Sequence, residues 1–436
     1  MSAELSQTKP AEWLTKPTLS RVDEIIQFLT EQGTFRFPAL DTGLFSAAAF
    51  EHAHGEDTGY SNVWTRDVVH IAHALWVLGQ REEAARAMLA LGKFYAGSRN
   101  RFTDLIADPA LAADPMRRPH IRFAGHALEE LPEKWSHAQN DALGYWLWLT
   151  CKMVLAEQFK LTDDLAEVLG LLVRYFQAVK YWQDEDSGHW EEVRKVAASS
   201  IGAAVAGLKA FRNVVELELH AFADRDELLE LTCGLIDKGY AALDRILPHE
   251  CVDGDEKQVR QYDGALLFLI YPLEVVSGPV ASQIAADVTT YLQGPIGIRR
   301  YLGDSYWCAD YKELLSAESR TADFSDDLNT RDALLKEGTE AQWCIFDPIV
   351  SVVHGRRFLE LGAEEDRIKQ LEHLQRSLSQ LTTAESRFGA YRCPESYFLE
   401  KDTWVPNDIT PLLWTQANLR LALHWMRQTL AGQEGV

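Results

Sequence analysis

Asp186-Ser187-Gly188-His189-Trp190-Glu191-Glu192 runs into an Ala-rich, apolar stretch from Val196 to Phe211. A turn-forming triplet delivers a large aromatic and two adjacent carboxylates to the mouth of a helix too apolar to face water. One reading is that the acids complement the helix dipole. The other is that a carboxyl beside tryptophan, on a loop fixed by a buried helix, has its pKa raised for proton transfer. The pattern recurs along the chain, and the recurrence decides the fold class. Polar clusters fall on loops, and each is followed by a run with helical apolar periodicity.

Ser20–Gln32 places Val22, Ile25, Ile26 and Leu29 on one face. Trp64-Thr65-Arg66-Asp67 opens a helix striped by Val68, Ile71, Leu75 and Leu78. Glu82–Ala96 follows, and Trp135–Asp141 leads into a further apolar helix reaching about Gln158. Thr162-Asp163-Asp164 caps the next. Helices are also expected over 225–243, 263–271, 280–292, 340–361, 364–381 and 410–430. Gly97–Lys134 reads as a long irregular segment, and Ser316–Leu335 as a polar, exposed insertion. The pattern predicts about twelve helices, almost no strand, and no Gly- or Pro-rich linker that would divide residues 1–436. An all-α toroid of helical hairpins in a single domain accounts for this spacing.

The net charge of −22 disfavours nucleic acid and anionic membrane as partners, and leaves neutral or cationic ones. The N-terminal residues lack an apolar signal core, and no run approaches a membrane span of about 18 apolar residues. The six cysteines form no Cys-x-x-Cys pair, so free thiols and a cytoplasmic location are expected. His52-Ala53-His54-Gly55-Glu56-Asp57 looks metal-like but lacks a defined set of further ligands. Neither metal nor cofactor is expected. Thirteen tryptophans could serve the core or the flat C–H faces of sugar rings.

Eight loop motifs follow one another along the chain. The first four are Trp64-Thr65-Arg66-Asp67, Trp135–Ala142, His189-Trp190-Glu191-Glu192 and Ala198-Ser199-Ser200-Ile201-Gly202. Arg300–Tyr306, Glu340-Ala341-Gln342-Trp343, Pro394-Glu395-Ser396-Tyr397 and Pro411–Gln416 complete the set. Taken in order, they resemble glycoside hydrolase family 15, the glucoamylases, and still more closely the glucoamylase-like N-terminal domain of the phosphorylase kinase α and β subunits. The resemblance covers nearly the whole chain. It implies an (α/α)6 barrel forming one catalytic domain, and inverting, exo-acting release of glucose from an α-glucoside or α-glucan oligosaccharide. The resemblance makes Glu191 the general acid and Glu395 the general base, with their carboxyls roughly 6.5–9.5 Å apart. Arg66 and Asp67 then grip the sugar, with Trp64, Trp135, Asp141, Trp190, Glu192, Arg300, Asp304 and Trp343 as substrate-binding neighbours. The Ala-Ser-Ser-Ile-Gly run leans toward the kinase-subunit branch, which gives the alternative: a non-catalytic carbohydrate-binding or regulatory protein. No starch-binding module is recognisable, so a soluble oligosaccharide or small glucoside is the expected substrate.

Overall fold

The computed structural model describes residues 5, 10–49, 59–217 and 221–434. The His52–Asp57 stretch lies outside them. Helices that are apolar on every side must be buried, and those with one apolar stripe cover them. Both kinds alternate along this chain. Thr65–Leu75 in α2 (Thr65–Val77), Asn140–Cys151 in α4 (Asn140–Leu155) and Phe346–Gly355 in α10 (Phe346–Leu361) are buried without interruption. With α6 (Ala198–Leu217), α8 (Leu267–Ile270) and α12 (Leu413–Glu434) they form an inner ring. Each packs on the next, and α12 returns to α2 to close it.

The outer ring is α1 (Leu19–Glu31), α3 (Arg81–Gly97), α5 (Asp163–Ala178), α7 (Arg225–Ile246), α9 (Gly278–Asp287) and α11 (Glu364–Ser379). These helices pack on α12, α2, α4, α6, α8 and α10 respectively, which makes an (α/α)6 barrel. The outer helices show the one-sided burial expected of them: α1 buries only Val22, Ile25, Phe28 and Leu29. Thr18 and Thr162 cap α1 and α5, each hydroxyl accepting a backbone N–H of the first turn. The inner helices α4 and α6 approach unusually closely at Gly144, where a Cβ would sit 2.5 Å from the Ala203 carbonyl carbon.

The inner helices begin at one end of the barrel, and the connections there differ from expectation. Val63–Trp64 (β1), Arg122–Ala124 (β2) and Glu129–Glu130 (β3) form an antiparallel sheet. Gly97–Lys134 is thus structured, and it also holds a helix at Asn100–Ala107. The helix expected from Glu340 starts only at Phe346. Gln342–Trp343 (β4) instead pairs with Ser396–Glu400 (β5), which pairs with Thr403–Pro406 (β6). Short strands of two to five residues carry too little alternation to be read from sequence. No helix among the described residues is long and apolar enough to cross a membrane.

Candidate functional site

Gly188 takes a left-handed conformation (φ 54°), and a single 3-10 turn follows over Gly188–Trp190. Glu191 then adopts φ 59° and ψ 43°. A non-glycine residue held left-handed costs on the order of 1–3 kcal/mol, so its surroundings must fix it. They do: Asp186 and Lys195 exchange backbone hydrogen bonds at the base of the turn, and Ser187 N–H donates to Ala138. The helix α6 begins only at Ala198, so neither glutamate caps it and the dipole reading fails. Glu191 Oε1 accepts from Gln139 Nε2 (3.1 Å), and its Oε2 from Trp64 Nε1 (3.4 Å).

Glu395 stands just before β5, its backbone tied to Ile409 and Cys344. Its Oε1 accepts from Tyr60 Oη (2.9 Å), and its Oε2 from Asn407 Nδ2 (2.6 Å). The Tyr60 and Trp64 rings lie 5.2 Å apart, so the donors to the two glutamates are neighbours. Both carboxylates line one cleft, with about 780 Å³ of empty space including its mouth. Trp64, Arg66, Asp67, Trp135, Trp190, Arg300 and Trp343 line it as well.

Asp141, Glu192 and Asp304 do not line the cleft, contrary to their expected contact with substrate. They are almost fully buried behind its wall, because the guanidiniums in the wall need anionic partners. Asp141 accepts from Arg66 Nε at 2.6 Å, and Gln139 and the Gly188 carbonyl accept from Arg66 Nη2. Asp304 receives Arg300 through two bonds of 2.6 Å. Glu192 accepts from Arg300 (3.0 Å), Arg331 (2.7 Å) and the Tyr301 hydroxyl, with Arg260 at 3.6 Å. So held, Arg300 lies against Trp190, Tyr306 and Trp343, about 5 Å from each ring centre.

Burial dominates the titration of the site. It raises Glu395 to about 7, against the donors Tyr60 and Asn407. It raises Asp67 to about 7, with Arg66 opposing and Glu191 reinforcing. Glu191 is raised by the same cause, against Arg66, Gln139 and Trp64. Glu192 moves the other way: burial would raise it, but Arg300, Arg331 and Arg260 hold it at about 2.

The model of "Glycosyl hydrolases family 15" matches residues 26–331. The chain belongs to glycosyl hydrolase family 15. The fold agrees with solved structures at low identity. A glycosidase variant in complex with glucose is 19% identical, over 94% of this chain and 98% of that one, with a TM-score of 0.62. The glucoamylase of Saccharomycopsis fibuligera is 12% identical, over 97% and 100%, with a TM-score of 0.59. The uncharacterized lipoprotein YgeQ of Escherichia coli is 31% identical over 149 residues, 30% of this chain. The match spans 56% of that relative's length.

Several residues of this family 15 site escaped sequence reading. Tyr60 stands four positions before Trp64 in an aromatic loop, which was its only signal. Asn407 lies in a polar loop with none. The segment read as an exposed insertion instead folds over the cleft. Thr321, Ala322, Asp323, Phe324 and Arg331 line it, and Arg331 is buried on Glu192. Its polar composition mimics a solvated loop because its arginine finds a carboxylate distant in sequence.

Proposed function

We propose that the chain is an inverting, exo-acting glycoside hydrolase that releases glucose from the non-reducing end of an α-glucoside or α-glucan oligosaccharide. Residues 1–436 act as one catalytic domain in this reading. The observation that carries it is the convergence of Glu191 and Glu395, distant in sequence, on one cleft beside Arg66 and Asp67. Among the described residues, neither glutamate is held in a close salt bridge, and the cation paired with Glu191 is Arg66 Nη1, at 3.8 Å. Glucose bound by a structural neighbour supports the choice of sugar.

In this mechanism Arg66 and Asp67 hold the hydroxyls of the terminal glucose. Protonated Glu191 gives its proton to the glycosidic oxygen as the C1–O bond breaks, and the leaving group departs as an alcohol. Ionised Glu395 takes a proton from water as that oxygen bonds C1 from the opposite face. The products are β-glucose and the alcohol, leaving Glu191 ionised and Glu395 protonated until both re-equilibrate with solvent. The carboxylates around the cleft favour the positive charge that develops on the sugar. Tyr60 and Asn407 orient the base, and Trp64 and Gln139 orient the acid.

Incubation with maltose, isomaltose and trehalose, followed by NMR of the freed glucose, tests this. The β-anomer is expected first; first release of the α-anomer rules out inversion. Binding without turnover would favour the non-catalytic reading. The pH profile is a second check. Glu395 must be ionised, so kcat/KM is lost as pH falls through about 7. Glu191 must be protonated, so activity is lost again as pH rises past its elevated pKa. The two limbs belong to the interacting pair. Both groups are raised, so the optimum is expected above the ordinary carboxylate range, and an optimum near pH 4 would contradict it.

A further inference from the structure

In the cleft, three guanidiniums from the wall are each matched by a carboxylate behind it. The resemblance made Glu192 a substrate-binding neighbour, but three arginines and Tyr301 occupy it. The acidic side chain that enters the cleft from the 321–324 strap is Asp323. Its Oδ1 accepts from Ser325 N–H at 2.8 Å. Its Oδ2 is buried and has no hydrogen-bond partner. Among the described residues, no other carboxylate lining the cleft has a buried oxygen left unpaired.

The strap is pinned in place. Arg331 donates to Glu192 (2.7 Å) and Ser305 (3.0 Å) and lies 5.6 Å from the Phe324 ring centre. Asp332 accepts from Ser305 (2.7 Å) and Lys257 (3.2 Å), and Lys134 pairs with Asp326. The strap is thus a fixed wall beside Glu191. The negative charge of Asp323 also reaches Glu191, where it favours the protonated form.

A buried, unpaired carboxylate oxygen demands a donor. Glu191, as general acid, stands next to the leaving-group oxygen, so a group bound between Glu191 and the strap belongs to the leaving group. We infer that Asp323 binds a hydrogen-bond donor on the leaving group, making it the residue that selects leaving groups bearing hydroxyl or ammonium groups over those lacking donors or carrying phosphate. This rests on the proposed roles of the cleft. Among the described residues, each of the three guanidiniums lining the cleft is already matched by a carboxylate, so a phosphate would meet Asp323 and the other carboxylates there at a disadvantage.

The test compares the wild type with Asp323→Ala and Asp323→Asn on maltose and isomaltose, on an aminoethyl α-glucoside, and on a nitrophenyl α-glucoside whose leaving group has no donor. Asp323→Ala is expected to lower kcat/KM roughly 10- to 100-fold for a donor-bearing leaving group. The nitrophenyl glucoside should change less than about twofold. The two donor arms show whether hydroxyl or ammonium is preferred, and a loss on neither overturns the inference. An equal loss on the nitrophenyl glucoside also overturns it. Calorimetry in a Glu191→Gln background separates this from the hydrolase reading. There, Asp323→Ala should abolish the affinity gain of a disaccharide over glucose and leave glucose binding intact. If the wild type hydrolyses nothing, the hydrolase reading falls, and the calorimetric gain alone still decides the role of Asp323.

Discussion

Glu395→Gln lowers kcat by roughly 10²- to 10⁴-fold on every glucoside, while glucose affinity stays within a few-fold; this is the expected result for loss of a general base. The amide still accepts from Tyr60 or Asn407 and keeps the shape of the site, but it cannot take a proton from water. Glu191→Gln is expected to cause a similar loss on disaccharides, whose departing alkoxide must be protonated. The variants separate on nitrophenyl α-glucoside. Its leaving group departs as a stable phenolate, so Glu191→Gln should recover most of its rate, and Glu395→Gln should recover none. Steady-state kinetics of both variants on both substrates provide the check. The opposite pattern would exchange the two roles, and near-wild-type rates in both would end the catalytic reading. Glu191 also carries backbone strain at φ 59°, and the Gln side chain keeps that conformation, so the kinetic loss reports chemistry rather than a collapsed turn.

The barrel was legible in the sequence because its inner helices are apolar all round and its outer helices have one stripe. Leu165, Val168, Leu169, Leu172 and Phe176 in α5 are buried at helical spacing. Trp64, Arg66, Asp67, Trp135, Glu191, Arg300, Trp343 and Glu395 were legible through ordered motifs, and they share one cleft. Depth was not legible. Asp141, Glu192 and Asp304 sit in the same motifs as lining residues, yet each faces an arginine rather than the cleft. Which of two adjacent glutamates turns inward depends on the left-handed backbone of Glu191, set by contacts with Ala138 and Lys195 from either side. Arg331 and Asp323 were illegible for the converse reason: a hydrophilic segment reads as solvated unless its partners, here Glu192 and Ser305, are known.

Glu192→Gln should destabilise the protein by about 3–5 kcal/mol at neutral pH, the usual result when one partner of a buried ion cluster is removed. Glu192 is 1% exposed, and it compensates Arg300, Arg331 and Arg260, all of them buried or nearly so. The amide cannot neutralise them, and Asp304 and Asp263 are left to balance Arg300 and Arg260 alone. The pH dependence supplies an independent test. The carboxyl is depressed from 4.5 to about 2 in the folded state. A depressed acid contributes stability that is present above its unfolded pKa and lost as pH falls toward its folded one. The window is therefore about pH 4.5 down to about 2, and the shift corresponds to about 3 kcal/mol. Denaturant unfolding of wild type and variant at several pH values reads this group together with Asp304, which shares Arg300 with it and feels its charge. The gap between the two curves should be widest near neutrality and close as pH falls through the window. A variant as stable as the wild type at pH 7 would show that the arginines find other partners. Activity is expected to fall with stability, because Arg300 forms the wall between Trp190, Tyr306 and Trp343, and the cleft keeps its shape only while Glu192 and Asp304 hold that guanidinium in place.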